Sequence, residues 1–282
     1  IEHAAVCGGR GRCTTCRISV GDAVEHLPKP EKLEARALAK INADPSIRLA
    51  CQVQPRRDLH ATPLLPPTAT AAHGRLPGGV HGREQQIVTM FIDLRGSTRL
   101  GERRLPYDVL FILNLFFAEM TAALKETNGH YAQFAGDGLM ALYGLDTGAK
   151  EGSRQALAGA VQMFARLDVL NQRLKGELDE PLRMGIGIHV GEAIVGVMGP
   201  PKSPLLSAIG DNINIASRLE SETKVFNCLL VVSADLARRA GINTSDFTRH
   251  QVTVKGREAP IDVFAVSDLG TIKAVEQTPK LS

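Results

Sequence analysis

A segment rich in proline and glycine divides the chain and limits what each part can fold into. Residues 61–84 contain four Pro and four Gly, a composition that cannot sustain a helix or a central strand. We therefore predict a linker there, between an N-terminal part, residues 1–60, and a larger domain, residues 85–268, which a tail, residues 269–282, follows. Charge is also uneven, since residues 1–83 hold 12 basic and 7 acidic side chains and the remainder holds 21 and 23.

Cysteine is concentrated in the N-terminal part, where four of the five cysteines lie. Cys7, Cys13 and Cys16 share one Gly-rich stretch with the spacing C-x5-C-x2-C, and Cys51 follows at a distance. No sign of secretion supports a disulfide framework, and structural zinc sites usually pair two Cys-x2-Cys knuckles, whereas one is present here. Three thiolates on one loop with a distant fourth are typical of a [2Fe-2S] centre, with a zinc knuckle or inert thiols as alternatives. Cys228, in an apolar run, is interpreted as a buried core thiol.

The N-terminal part resembles the [2Fe-2S] ferredoxin domain, including IRLACQ at residues 47–52 around the last of the four cysteines. The resemblance implies that Cys7, Cys13, Cys16 and Cys51 bind a [2Fe-2S] cluster in a β-grasp fold. In that family a hairpin and much of a helix precede the ligand loop, whereas only six residues precede Cys7 here. We therefore expect a partial β-grasp domain, which holds the cluster in the full-length protein and holds it poorly in this chain.

Beyond the predicted linker, the hydrophobic spacing alternates between strand and helix periods. The pattern predicts helices at residues 106–127 and 211–223, a further helix that includes residues 157–167, and strands at residues 88–94, 131–134, 139–143, 184–190, 193–198, 229–232, 252–254 and 263–266. A turn is predicted at Gly191, between two of these strands. The resulting order is β-α-β-β-α-β with additional strands, which indicates an α+β domain.

Two aspartates are predicted at the ends of strands. Asp93 ends a buried strand and precedes a turn with the small residues Gly96, Ser97 and Thr98, whose backbone N–H groups can bind phosphates at the start of a helix. Asp137 lies in a glycine-flanked turn between two strands, so its carboxylate is expected beside that of Asp93. Carboxylate oxygens that face a phosphate-binding turn favour a pair of Mg²⁺ ions. Ordinary turn chemistry is the alternative for Asp137, because Asp and Gly are common turn residues.

Three further polar residues are suited to an anionic ligand. Asn214 and Arg218 are spaced i and i+4 on a predicted helix, so they share a face that can present an amide and a guanidinium to a phosphoryl group. Lys255, in the strand-end turn Val-Lys-Gly-Arg, can reach a triphosphate. A solvated helix face and a solvated turn are the alternatives.

Five motifs in the larger domain resemble the class III adenylate and guanylate cyclases. They lie within residues 86–266 in that family's order: IVTMFIDLRGST, QFAGDGLMALYG, RMGIGIHVGEAIVGVMG, AIGDNINIASRLES and VTVKGREAPIDVF. The resemblance implies an α+β fold, namely a ferredoxin-like βαββαβ domain with added strands, which the partial β-grasp [2Fe-2S] domain precedes.

The resemblance also implies a role for each candidate residue. Asp93 and Asp137, assisted by the carbonyl of Leu94, are expected to hold two Mg²⁺ or Mn²⁺ ions per site. Members of the family work as head-to-tail dimers in which one subunit supplies the metal ligands and the other supplies the Asn, Arg and Lys. Because this chain contains both sets, a homodimer has two complete sites. The roles implied for the second set are orientation of the ribose by Asn214, stabilisation of the pentavalent phosphate by Arg218 and binding of the triphosphate by Lys255.

Two positions that read the base in this family depart from the adenylate pattern. Gln133 stands where adenylate cyclases usually have Lys and guanylate cyclases Glu, and Ser207 stands where Asp or Thr is frequent. We predict conversion of ATP to 3′,5′-cyclic AMP and pyrophosphate, with a guanylate or dual-specificity cyclase, which uses GTP, as the alternative. Two other classes of function are considered. A catalytically silent, nucleotide-sensing homologue is disfavoured because Asp93, Asp137 and Arg218 are retained. An electron-transfer protein is disfavoured by the size of the C-terminal domain.

Charge and hydropathy indicate whether the chain binds nucleic acid or spans a membrane. A net charge of +3 is too small to indicate a nucleic-acid surface. The most apolar stretch, residues 109–120, is interrupted by Asn114 and Glu119 and is too short to span a bilayer. We expect a cytoplasmic protein whose membrane anchor, if it has one, precedes Ile1. The adjacency of the two domains leads to the hypothesis that an electron donor or redox signal acts on the [2Fe-2S] domain and regulates the cyclase.

Overall fold

The structure is a computed structural model that describes residues 4–64, 82–198, 205–254 and 259–273. The chain divides into two compact units, the first built mainly from the residues up to Gly82 and the second from Arg83 onward. Most of the predicted linker, residues 65–81, lies outside the described residues.

The first unit contains a three-stranded antiparallel sheet and one α-helix. In chain order its elements are β1 (Arg17–Ser19), a 3-10 helix (Gly21–His26), α1 (Lys32–Lys40), β2 (Ile47–Leu49) and β3 (Thr62–Pro63). The strand order is β2-β1-β3, so β3 is an edge strand made of residues that the sequence assigns to the linker. An edge strand tolerates Pro63, because one side of it can leave backbone N–H positions unpaired.

A buried ion pair joins α1 to β2. Arg48 donates two hydrogen bonds of 2.8 Å to the two carboxylate oxygens of Glu34, and both side chains are almost fully buried. Glu34 Oε1 also accepts the backbone N–H of Leu49 at 2.9 Å, and Arg48 donates to the carbonyl of Pro28 at 2.9 Å. The charges are therefore paired and hydrogen-bonded, which a buried pair requires to be tolerated.

The second unit combines one large sheet with six helices among the described residues. Its elements are β4 (Arg83–Arg95), α2 (Ser97–Arg103), α3 (Pro106–Glu126), β5 (His130–Ala135), β6 (Gly138–Tyr143), α4 (Gly148–Arg173), β7 (Arg183–Met198), β8 (Leu205–Ile209), α5 (Asp211–Val225), β9 (Leu230–Ser233), α6 (Ala234–Ala240), β10 (Thr248–Val252), β11 (Ile261–Val266) and α7 (Gly270–Lys273). The strand order is β10-β11-β9-β7-β4-β6-β5, and β8 pairs with β7. β7 and β9 run parallel, whereas the registers described for the other neighbours on this path are antiparallel.

Helices cover both faces of this sheet. On one face α3, α4 and α6 bury a large apolar cluster, to which β4 contributes Val88, Met90, Ile92 and Leu94. Because side chains alternate across a strand, the intervening β4 residues, Asp93 among them, point to the opposite face. α5 packs on that opposite face, where Ile215 and Leu219 belong to a second apolar cluster.

α3 is, within the described residues, the one helix that is long and apolar enough to cross a membrane by length and composition. It contains the apolar stretch that the sequence analysis considered too short to do so. Core helices pass the same test, and α3 buries one face in the large cluster through Ile112, Phe116, Met120, Ala123 and Leu124.

The turn predicted at Gly191 is wrong. β7 continues through this residue as one strand of 16 residues and pairs with β4 along the whole length of β4, with Gly191 opposite Ile87. The side chain of Asn212 donates to the carbonyls of both residues, at 3.0 Å to Gly191 and 3.2 Å to Ile87. Glycine here therefore marks a close approach of α5 to the sheet rather than a break in the strand.

Two further glycines of β7 let α5 lie directly against the sheet. A Cβ atom at Gly187 would be 2.0 Å from the backbone nitrogen of Glu220 and 2.6 Å from the carbonyl oxygen of Ala216. A Cβ atom at Gly185 would be 2.3 Å from Thr223 Oγ1. Because the atoms facing Gly187 belong to the helix backbone, no side-chain rotation can make room for a larger residue.

We expect Gly187→Ala to lower the free energy of unfolding by about 1–3 kcal/mol, because the added methyl group forces α5 away from β7. The matched control is Gly101→Ala in α2, where a Cβ atom meets nothing within 4 Å and the higher helix propensity of alanine should stabilise by up to about 1 kcal/mol. Urea denaturation of both variants measures the two changes. Equal midpoints for Gly187→Ala and the unmodified protein would show that α5 does not depend on this contact.

Candidate active site

Asp93 lies near the end of β4, on the face of the sheet that α5 covers. Its Oδ2 atom is 2.7 Å from Lys224 Nζ, in the last turn of α5. This hydrogen bond raises the pKa of Lys224, although partial burial acts in the opposite direction. The carboxylate of Asp93 is therefore paired with a lysine ammonium in this structure.

Asp137 lies in the turn between β5 and β6, as the sequence predicts. The register of β4 and β6 places Ile92 opposite Leu139, so the β5–β6 turn lies at the same end of the sheet as Asp93. The negative charge of Asp137 acts on Lys224 and on Glu220, the same two residues of α5 that the charge of Asp93 affects. The structure thus brings the two predicted metal ligands to one side of α5.

Glu220 is a third carboxylate at this end of the sheet and was not predicted. Its side chain is buried, its Oε1 atom has no hydrogen bond, and that atom lies 3.9 Å from Lys224 Nζ. Burial, and then the neighbouring charge of Asp93, raise the pKa of Glu220 to about 7, while Lys224 and Arg95 act in the opposite direction. The region is therefore rich in negative charge and favours the binding of cations.

The donor set fits divalent metal ions of the Mg²⁺ type, which prefer carboxylate and carbonyl oxygens and keep several water or phosphate ligands. The described ranges contain no group of three or more His, Cys, Asp or Glu side chains placed to hold one metal ion. Two aspartates with the nearby carbonyl of Leu94 thus leave most coordination positions to a bound nucleotide and water.

The predicted phosphate-binding turn connects β4 to α2. Gly96 has a φ of +75° and precedes Ser97, the first residue of the helix, so the turn and the helix start are as predicted. A cavity of about 140 Å³ lies beside the turn and is lined in part by Gly96, Ser97, Arg99 and Arg103. It is smaller than the roughly 300–1,000 Å³ of ordinary small-molecule pockets. Nothing is described of the Thr98 side chain.

Asn214 and Arg218 share an exposed face of α5, as their spacing predicts. Arg218 forms an ion pair of 2.7 Å with Glu222, one turn further along the helix. Among the contacts of the described residues, none joins Asn214 or Arg218 to Asp93 or Asp137. Within the described residues, the predicted metal ligands and the predicted phosphate-stabilising residues are thus not in direct contact.

The two predicted base-reading residues lie on strands that contact each other, β5 and β8. Gln133 is exposed and follows an irregularity in the pairing of β5 with β6, whereas Ser207 is buried. Lys255, the predicted triphosphate ligand, lies outside the described residues.

In the first unit the four N-terminal cysteines lie in two pairs. Cys16 Sγ and Cys51 Sγ are 3.3 Å apart, and burial, with the neighbouring thiol of Cys51, raises the pKa of Cys16 to about 12. In the other pair, burial acts to raise the pKa of Cys7, but hydrogen bonds from Cys13 and from backbone groups outweigh it and lower the pKa. Cys228 of the second unit is buried in the cluster that contains Leu219, as predicted.

Three charged residues of the site escaped the sequence analysis: Glu220, Glu222 and Lys224. The spacing of Glu220 and Lys224 at i and i+4, and that of Arg218 and Glu222, are sequence signals for ion pairs on a helix. That spacing alone does not show which helix face lies against the sheet, so it could not connect Lys224 with Asp93.

Comparison with known proteins identifies the second unit. Residues 80–267 match the family described as the adenylate and guanylate cyclase catalytic domain. An adenylate cyclase of Anabaena cylindrica is 31% identical over 189 residues, which are 64% of this chain and 37% of that protein. The chain belongs to the adenylate and guanylate cyclase family, and the class III resemblance of its motifs is confirmed.

Solved structures confirm the predicted fold of this unit. The guanylyl cyclase Cya2 is 30% identical with a TM-score of 0.60, and the match covers 66% of this chain and 93% of Cya2. The adenylyl cyclase CyaB from P. aeruginosa is 25% identical with a TM-score of 0.57 and is covered to 95%. The chain spans only about a third of the length of the curated relatives that it matches first. The N-terminal cysteines lie outside the family match.

Proposed function

We propose that the chain converts ATP to 3′,5′-cyclic AMP and pyrophosphate in a homodimer with shared sites. The observation that carries this proposal is that Asp93 and Asp137 lie at the same end of the sheet, where Asp93 faces α5. The reaction is intramolecular: the ribose 3′-hydroxyl gives its proton to water, its oxygen attacks the α-phosphorus in line, the bond from that phosphorus to the bridging oxygen breaks, and pyrophosphate leaves.

In this proposal each side chain acts by binding or by charge. Asp93, Asp137 and the carbonyl of Leu94 hold two divalent ions, which supply activation of the 3′-oxygen and neutralisation of the leaving pyrophosphate. The turn at Gly96, Ser97 and Thr98 binds phosphate oxygens through backbone N–H groups. The remaining roles are orientation of the ribose by Asn214, stabilisation of the charge that develops on phosphorus by Arg218, and binding of the triphosphate by Lys255.

Exposed apolar side chains support the homodimer. β5 and β8, which carry the base-reading residues, expose Phe134, Leu205 and Ile209. The adjoining β7 exposes Ile194, and the end of α5 exposes Val225. Apolar surface of this kind favours association with another protein surface. In the proposed head-to-tail dimer, Asn214 and Arg218 of one subunit act together with Asp93 and Asp137 of the other.

Complementation tests the reaction and the shared site together. Asp137→Ala and Arg218→Ala should each lower cyclic AMP formation with Mn²⁺ by about 100-fold or more. A 1:1 mixture that exchanges subunits should regain about a quarter of the original activity, since half of the dimers are mixed and each has one intact site. Mixing Asp93→Ala with Asp137→Ala is the control and should restore nothing. Failure of the first mixture, with both variants folded and dimeric, contradicts the shared site.

Base preference is proposed to favour ATP only modestly. The amide of Gln133 can donate and accept, so it can meet either adenine or guanine by rotation, and the hydroxyl of Ser207 discriminates little. The names of the relatives fit either base, since Cya2 is a guanylyl cyclase and CyaB an adenylyl cyclase. A cyclase with dual specificity is therefore the second candidate.

Substitution of Gln133 tests this assignment. Gln133→Lys should raise the ratio of ATP to GTP turnover by about tenfold or more, and Gln133→Glu should lower it similarly, because one bidentate base contact is worth about 1–3 kcal/mol. Ser207→Ala is the comparison and should change the ratio less. The ratio of kcat/KM values for the two nucleotides is the measurement. An unchanged ratio in both Gln133 variants would remove this residue from base recognition.

We also propose that the N-terminal cysteines bind a [2Fe-2S] cluster through which redox state regulates the cyclase. Such a cluster takes four thiolates, two on each iron, and the chain supplies two thiol pairs, Cys7 with Cys13 and Cys16 with Cys51. Gln52 donates to the carbonyl of Gly9 at 3.0 Å and thereby ties the loop to the last cysteine.

Anaerobic reconstitution with ferrous iron and sulfide tests the cluster. The unmodified chain should take up iron and acid-labile sulfide below one cluster per chain, because a partial β-grasp domain holds the cluster poorly. Cys13→Ser should take up neither, and Cys228→Ser should match the unmodified chain. Cyclase activity should survive Cys13→Ser, because the ligand loop and the catalytic domain are separate units. Equal iron uptake by the unmodified chain and by Cys13→Ser would exclude the proposed ligand set.

A further inference from the structure

The proposed function does not explain why Lys224 forms an ion pair with Asp93, a predicted metal ligand. Its ammonium lies 2.7 Å from Asp93 Oδ2 and 3.9 Å from Glu220 Oε1. A side-chain cation thus stands between the carboxylates of Asp93 and Glu220, at the place where the proposed function requires divalent ions.

Lys224 and a divalent ion cannot use Asp93 in the same way at the same time. A Mg²⁺ ion binds a carboxylate oxygen at about 2.0–2.1 Å, and an ammonium 2.7 Å from that oxygen would lie against the ion with like charge. We propose that Lys224 is an internal competitor of the catalytic metal, which holds Asp93 in the metal-free chain and must leave when the ion binds. This inference rests on the proposed function, because it takes Asp93 as a metal ligand.

The surroundings of Lys224 allow it to leave. Its side chain is 52% exposed, and a lysine ammonium on a flexible four-carbon stem can turn to water at little cost. Glu220 cannot turn to solvent in the same way, because its side chain is buried and the backbone of α5 lies directly against Gly187 of the sheet. Its unbonded Oε1 atom remains within reach of the displaced ammonium, which provides a second ion pair near the first.

Binding of Mn²⁺ to the nucleotide-free protein, measured by electron paramagnetic resonance of the unbound ion, tests the competition without any turnover. Lys224→Met should bind Mn²⁺ about three- to tenfold more tightly than the unmodified protein, because it removes a competing charge from a half-exposed pair. Lys224→Arg keeps the charge and should not tighten binding. Lys125→Met, which removes an exposed lysine from the last turn of α3, is the matched control and should leave the affinity unchanged.

A second readout comes from the metal-free state. Without the ammonium, the carboxylates repel one another, so the metal-free Lys224→Met protein should unfold at a lower temperature and gain more from added Mn²⁺ than the unmodified protein does. Asp93→Asn separates the two hypotheses. If it leaves Mn²⁺ binding intact, the proposed metal site is wrong. If it weakens binding while Lys224→Met matches the unmodified protein, the competition alone is overturned. If neither the unmodified protein nor Lys224→Met binds Mn²⁺, both hypotheses are contradicted.

Discussion

The contact of the α5 backbone with Gly187 of β7 is the constraint on which the placement of α5 in the catalytic unit depends. A helix that rests on side chains can shift when they repack, whereas one that rests on glycines has its distance from the sheet set by backbone atoms. α5 carries both the predicted phosphate-binding face and Lys224, and β4, next to β7, carries Asp93. The positions of the charged groups of α5 relative to the strand ends therefore follow from this one contact.

Charge at the strand ends is arranged for cation binding rather than for stability. Burial and the charge of Asp93 raise the pKa of Glu220 to about 7, so folding favours its protonated form. Below the ordinary pKa of Glu220, its stabilising contribution to the free energy of unfolding is fully present, because the protonated form is the one that folding favours. This contribution is lost as the pH rises through about 7. Near neutral pH the buried carboxylate of Glu220 therefore lies beside the like charge of Asp93, which Lys224 and Arg95 oppose.

The first unit differs from the second, because its four cysteines lie on or between short elements with a small buried core. Only Cys16, Leu38 and Leu49 form its buried apolar cluster among the described residues. The buried pair of Glu34 and Arg48 adds directed bonds that apolar contacts cannot supply, and one of them reaches the backbone of Leu49, two residues before Cys51. Such a pair adds little net stability, and its directed bonds join α1 to β2.

Local rules were sufficient where one strand or turn determines the outcome. Alternation along β4 and the turn before β6 place Asp93 and Asp137 as expected, and helical spacing puts Asn214 and Arg218 on one face. The same rules misassigned Gly191 and missed Lys224, because both depend on how α5 meets the sheet. Lys224 lies six residues after Arg218 and so faces elsewhere on the helix. A half-buried carboxylate such as Asp93 needs a counter-charge, and once α5 is known to pack beside β4, its closing turn is the place to look for one.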